Sequence, residues 1–265
     1  MNAAPVDARY IAGLWHRQRV NPVGIAHEIR AHTRCLLSRS NPGVSKKFLI
    51  LGRARSGTSL LSVLLNSHPT ITCDGEVLNR VAIDPVRFLD CLSRQSPTTV
   101  FGAKLLSYQM VQVHRLKNPI RFLERLEVRG FQFIHVVRNT WDQTMSLTRA
   151  QTTGKYHSFQ SPERRPSKIS SSEFIERLEW SEVLLDYERF CLRGFPHFKV
   201  SYEDDLGQAQ KQQATSDRIF DWLEIPSAEV SSSLSKVSNF DPGDMIEGLD
   251  EARAFAARKG ILNPS

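Results

Sequence analysis

The sequence predicts an α/β fold of three layers, with a central, mainly parallel sheet flanked by helices. Two observations predict it. Short apolar runs alternate along the chain with amphipathic stretches of helical length. One run, Phe48-Leu49-Ile50-Leu51, ends at Gly52 and leads through a glycine- and serine-bearing loop into a second apolar stretch, Leu60 to Leu65. A continuous apolar run suits a parallel strand covered on both faces.

The remaining elements follow in order. The helix after the loop closes at Asn66-Ser67-His68-Pro69. Further strands are expected at Val100–Leu105, Phe131–Val137 and Phe198–Tyr202. Helices are expected near 85–93, 119–129, 140–150 and 172–192. In the last of these, Trp180, Leu184, Tyr187 and Cys191 recur at helical spacing and read as core. Residues 151–171 are polar and rich in Ser, Pro and Arg, which suits either a lid or a surface insertion. Residues 1–45 read as a basic helical N-terminal extension. Its two pieces, 6–18 and 23–37, break at Asn21-Pro22, and Ile25, Ile29, Leu36 and Leu37 supply one apolar face of the second. Ser40-Asn41-Pro42-Gly43 is a linker signal, and residues 46–265 form one domain.

Composition excludes several classes. The chain has 265 residues, 40% hydrophobic and 24% charged. That is ordinary globular composition, not disorder, collagen or coiled coil. No run of about 18 apolar residues suggests a membrane span, and no leader pattern opens the chain, so a cytoplasmic location is expected. Cys35, Cys73, Cys91 and Cys191 are scattered without metal-ligand spacing, so reduced thiols and no metal site are expected. The net charge of +7 would suit a polyanionic partner. Residues 1–47, however, hold eight of the 35 basic residues against two of the 28 acidic ones. The rest is within one charge of neutrality. The body therefore lacks a nucleic-acid footprint. The basic extension either presents its arginines to an acidic acceptor or a membrane surface, or is a solvated helical face.

Gly52-Arg53-Ala54-Arg55-Ser56-Gly57-Thr58-Ser59 lies between a strand and a helix. Backbone N–H groups at a helix start cradle anions there, which makes the fold P-loop-like. The nucleoside-triphosphatase frame would carry lysine where Thr58 stands. Arg55, inside the loop, offers a fork for two oxygens of a phosphate or sulfate. A second anion signal follows the Phe131–Val137 strand. Arg138 stands at its C-terminal end, where open α/β sheets bind ligands, and Ser146 lies eight residues on. The pair converges only if the chain doubles back between them. Two anion sites without a triphosphate lysine fit a nucleotide with phosphate at both ends of its ribose, such as 3′-phosphoadenosine 5′-phosphosulfate (PAPS).

These segments resemble the PAPS-dependent sulfotransferase superfamily, and within it the bacterial carbohydrate, nodulation-factor-type enzymes. Phe48–Leu61 is similar to the 5′-phosphosulfate loop, and Val137–Ser146 to the 3′-phosphate motif. Ser67–Asn79 resembles an H-P-x-(I/V)-x-x-x-G-E-x-L-N segment. Phe101–Lys104, Val200–Asp204 and Asp244–Glu247 resemble weaker family signatures. The resemblance covers about residues 46–260.

It implies transfer of a sulfuryl group to an acceptor hydroxyl, on a carbohydrate, without a metal. Glu76 is implied as general base. Arg55, at the family's catalytic lysine position, is implied as charge stabiliser, and Lys104 as a partner for the transferring sulfuryl oxygens. The nucleotide contacts implied are Arg53, Arg55, Ser56, Gly57, Thr58, Ser59, Arg138, Ser146 and Tyr202. The K-T-H histidine of aryl-type members is absent, because Leu105-Leu106 follow Lys104. His68, His135 and His157 read as structural or peripheral rather than as bases. Two other readings stay open on the sequence: a P-loop kinase with an altered loop, and a non-catalytic nucleotide- or glycan-binding module on the same scaffold.

Overall fold

The computed structural model describes residues 26, 28–33, 43–154, 167–234 and 241–262. The expected helix at 6–18, most of the polar insertion with His157, and Ile25, Leu36 and Leu37 lie outside them.

The core is a five-stranded, all-parallel sheet. Its strands are β1 (Lys46–Gly52), β2 (Ile71–Asp74), β3 (Val100–Leu106), β4 (Phe131–Val137) and β6 (His197–Ser201), in the order β2-β3-β1-β4-β6. β1 is central, with Ile50 opposite Lys104 on one side and Ile134 on the other. Its side chains alternate between two cores. Phe48 and Ile50 pack with Leu61, Leu64 and Leu65 of α1 (Thr58–Asn66) and with Ile219 and Phe220. Leu49 and Leu51 pack with Leu89, Leu123, Leu126 and Tyr187 on the opposite face. Both faces are covered, which is why β1 reads as an unbroken apolar run. The three-layer expectation holds.

The opposite face is covered by α2 (Pro85–Arg94), α3 (Pro119–Glu127) and part of α5 (Ser171–Leu192). Asp84-Pro85 and Asn118-Pro119 start the first two. Each acidic or amide side chain accepts an N–H three residues on, from Arg87 at 3.1 Å and Arg121 at 2.9 Å, and proline takes the first helical position. The core stripe of α5 lies as expected, with Leu184, Tyr187 and Cys191 buried and Trp180 packed against them. α4 (Thr140–Thr153) outlasts its expected end by a turn and stops at Gly154, whose φ is 73°. The far base of the insertion is pinned by β5 (Ile169–Ser170), which pairs with β7 (Ile246–Glu247). α6 (Ala209–Trp222) and α7 (Leu249–Arg258) follow in the last third of the chain. No described helix is long and apolar enough to cross a membrane.

One expectation is corrected in the N-terminal extension. Residues 28–33 are helical, but Ile29, assigned to the packed face, is 57% exposed. The docked face is instead Glu28, 2% exposed, with Ala31, which joins the core. At this turn a buried acid takes the packed position in place of Ile29, because backbone N–H groups of the loop after β2 receive it.

Gly102, in β3, lies under the Phe48 ring; an added Cβ would come 2.2 Å from a ring carbon. Both groups belong to the sheet interior and neither can yield freely. Gly102→Ala is therefore expected to destabilise the fold by about 1–3 kcal/mol, measured as a lower urea midpoint.

Candidate active site

Every strand of the main sheet ends at the same edge, and each end delivers a site residue. β1 leads into the loop at 53–57, β2 into Glu76, β3 into Tyr108, β4 into Arg138 and β6 into Tyr202. Between them lies a cleft of about 1030 Å³ lined by Arg55, Gly57, Ser59, Glu76, Tyr108, Arg138, Ser146 and Tyr202, among others. This is the expected ligand edge of an open parallel sheet.

The loop is shaped from below by Arg53, which is 1% exposed. Its Nη1 donates to Thr140 Oγ1 at 2.9 Å and to Ser181 Oγ at 2.7 Å, and its Nη2 donates to the Arg138 carbonyl at 2.6 Å. Burial pulls its pKa below the ordinary arginine value, and the carboxylates of Glu188 and Glu182 oppose that shift. Gln143 adds a second strut, donating to the Ala54 carbonyl at 2.5 Å and accepting from Ser181 Oγ at 2.5 Å. Ser56 is fully buried and donates back to the Arg53 carbonyl at 2.8 Å. Thr58 is also buried, at the first position of α1.

Arg55 points the other way, toward the cleft. Its φ is +66°, a left-handed backbone rarely adopted by a residue with a Cβ and costing on the order of 1–3 kcal/mol. Two contacts hold it there. Arg138 Nη1 donates to the Arg55 carbonyl at 3.0 Å, and Arg55 Nε donates to Ser146 Oγ at 3.2 Å. Arg138 and Ser146 therefore do converge, and they meet on the loop's own arginine. The Arg138 guanidinium lies 4.3 Å from the Tyr202 ring centroid, with Glu203 Oε1 4.0 Å from its Nε. The same ring closes on Gly57, whose φ is 103°; a Cβ there would come 2.6 Å from Tyr202 Cδ2. Glycine is required at this point both for the turn and for the ring's approach.

Glu76 stands across the cleft at the end of β2. The Lys104 N–H donates to the Gly75 carbonyl at 3.1 Å and seats this turn on β3. The Lys104 ammonium, on the same strand, donates to Ser59 Oγ at 2.9 Å and to Glu76 Oε1 at 3.4 Å. Lys104 thus connects the phosphate-loop helix to the carboxylate. Tyr108 OH lies 3.0 Å from Glu76 Oε2 and 2.7 Å from Asn79 Oδ1, and Gln109 Nε2 donates to Glu76 Oε2 at 3.3 Å. Burial, and then the Glu76 charge, push the Tyr108 phenol up to about 12, so it remains a donor.

Of the residues named from sequence, the structure brings Arg55, Gly57, Ser59, Glu76, Arg138, Ser146 and Tyr202 to one cleft, with Lys104 linking Ser59 to Glu76. Arg53 and Thr58 border the same cleft although both are buried, and Ser56 lies beneath the loop's surface. His68 is a brace between Thr70 N–H and the Pro226 carbonyl, and His135 pairs with buried Glu188 at 3.0 Å. Sequence reasoning missed Tyr108, Gln109, Gln143 and Ser181. Only Asn79 carried a signal, as the last residue of the G-E-x-L-N segment.

Fold and site together define an α/β protein with a glycine-bearing strand-to-helix loop, two arginines on one cleft and a carboxylate facing them. No family model matches the chain. It is 27% identical over 135 residues to Nodulation protein H of Rhizobium tropici, across 47% of this chain and 54% of the other, so it matches about half the length of that relative. That likeness agrees with the nodulation-type resemblance of its motifs. A sulfotransferase from Alicyclobacillus acidocaldarius superposes with a TM-score of 0.49 at 14% identity, covering 80% of this chain and 92% of that one. The mouse sulfotransferase SULT7A1 complexed with PAP gives a TM-score of 0.43 at 14% identity, covering 86% and 68%.

Two outcomes follow from these contacts. Arg53→Met leaves Thr140, Ser181 and the Arg138 carbonyl without their donor and is expected to cost about 2–4 kcal/mol in chemical denaturation. His114 is held below its ordinary 6.5 by burial, while its Nε2–H donates to the Leu78 carbonyl at 3.0 Å. The unfolded chain therefore takes up this proton first as the pH falls. Stability should drop below about pH 6.5, and His114→Gln should flatten that slope in denaturation midpoints taken from pH 5 to 7.5.

Proposed function

We propose that this protein is a sulfotransferase that moves a sulfuryl group from PAPS to an acceptor hydroxyl on a carbohydrate. The observation that carries this reading is the meeting of Arg55, Arg138 and Ser146 on a loop with no triphosphate lysine, opposite Glu76. The motif resemblance and the likeness to Nodulation protein H support it.

The chain's groups fit that nucleotide. The cleft reaches the upper end of ordinary small-molecule sites in volume. The start of α1 and Arg55 face the 5′ end, and Arg138 with Ser146 face the 3′-phosphate. When bound, the nucleotide supplies the sulfuryl group, whose bond to the 5′-phosphate breaks as the acceptor oxygen bonds to sulfur. Glu76 takes the acceptor's proton, and 3′,5′-bisphosphoadenosine leaves. Arg55, fixed by its two contacts, neutralises charge on the leaving oxygen. It acts by field alone, since arginine does not give up its proton. Lys104 keeps the base and the loop in fixed relation. Arg53 acts as a positioning residue under the loop, and Tyr202 offers a ring face to the base of the nucleotide.

The decisive experiment measures labelled sulfate transfer from PAPS to a glycan panel, with calorimetry of 3′,5′-bisphosphoadenosine against ATP with magnesium. Binding of the bisphosphate and transfer to a glycan are expected; preference for ATP would overturn the reading. Glu76→Gln is expected to lower kcat by at least 10²-fold with bisphosphate affinity unchanged. Arg138→Ala is expected to weaken that affinity by at least tenfold.

A further inference from the structure

A second, smaller cavity of about 310 Å³ opens beside the cleft, and Glu76 lines both. Its wall includes Val77, Asn79, Arg80, Ala82 and Phe88, together with Glu28 from the N-terminal helical segment. The partition between the two spaces is the Glu76 carboxylate with the Tyr108–Asn79 contact, Tyr108 lining the cleft and Asn79 the cavity. A group seated in the small cavity therefore reaches the same carboxylate that faces the phosphate loop.

The cavity's outer side is built by the extension. Glu28 is 2% exposed, and its carboxylate accepts the backbone N–H groups of Ile83 at 2.6 Å and Asp84 at 2.9 Å. Those residues end the loop that begins at Glu76. The segment is itself anchored by Ala31 in the core and by Gln95 Nε2, which donates to the Ala31 carbonyl at 3.1 Å. A charged carboxylate accepting two N–H bonds out of water is a strong, directional tie.

We propose that this cavity seats one ring of the acceptor, and that Glu28 is a positioning residue that fixes its shape and the loop bearing Glu76. The inference rests on the sulfotransferase reading above. The volume is at the small end of ligand sites, room for a single ring and not an extended chain. An amide and a guanidinium beside valine, alanine and phenylalanine suit a sugar unit, which has a hydroxyl rim and an apolar C–H face.

The test uses the full chain, with a chitooligosaccharide as the acceptor probe. Acceptor KM, kcat, sugar Kd in the bisphosphate-loaded protein and bisphosphate Kd are measured for Glu28→Ala, Glu28→Gln, Ala82→Phe and Arg80→Ala. Ala82→Phe and Glu28→Ala are expected to raise acceptor KM and sugar Kd at least tenfold, with bisphosphate Kd within twofold of the original. Glu28→Gln, which keeps one accepting oxygen, should fall between. If Glu28→Ala does not fold, Ala82→Phe and the exposed Arg80→Ala decide. Unchanged acceptor KM and sugar Kd in the folded variants, with the unmodified chain active, would overturn the cavity's role alone. Absence of bisphosphate binding and of transfer in the unmodified chain would overturn both this inference and the reading beneath it.

Discussion

The site depends on one buried cation. Arg53 brings a full charge to the end of the central strand, where water cannot reach it, and the fold must answer that charge with donors' partners. The partners come from α4, from α5 and from the carbonyl of Arg138. Satisfying one guanidinium therefore sets the height of the loop, the start of α4 and the position of the second arginine together. The strained backbone of Arg55 is stable only inside that arrangement. Two arginines one residue apart thus divide the labour, one spent on the scaffold and the other presented to the cleft.

That division explains what the sequence could and could not disclose. The strands of the sheet centre were legible because burial on both faces leaves continuous apolar runs, as in Phe48–Leu51 and Phe131–Val137. β2 is not legible as a strand, because Ile71-Thr72-Cys73-Asp74 is short and half polar. α6 went unseen because most of Ala209–Trp222 is polar, with Ile219 and Phe220 near its end. Arg53 and Arg55 look alike in composition; their opposite fates are set by partners 83 to 128 residues away. The same distance hid Ser181 and Gln143. Tyr108 and Gln109 follow β3 without any motif, and only the fold lays them against Glu76.

The net charge of +7 gains a different meaning from its location. The cleft itself holds a few fixed cations, while the excess is concentrated toward the N-terminus. Yet beside the apolar contact of Ala31, the extension is tied to the body by one of its two acids. Glu28 enters the protein as an anion received by backbone donors, and the neighbouring Ile29 and Arg30 stay at the surface. A stretch that reads as a cationic appendage is joined to the loop that bears Glu76 through its rare negative charge.

The ties beneath Arg53 also carry a consequence for the order in which the molecule is made. The loop lies early in the chain, but Ser181 follows it by 128 residues, and the strand on one side of β1 is β4, more than 80 residues later. Nearly every contact of the parallel sheet is non-local, so loop-closure entropy must be met before those contacts stabilise anything. During synthesis the loop at 53–57 leaves the ribosome long before Ser181, so the full set of Arg53 contacts can close only once α5 is present. The walls of the cleft can therefore all be in place only late in translation, once the central strands and the helix that locks them are both available.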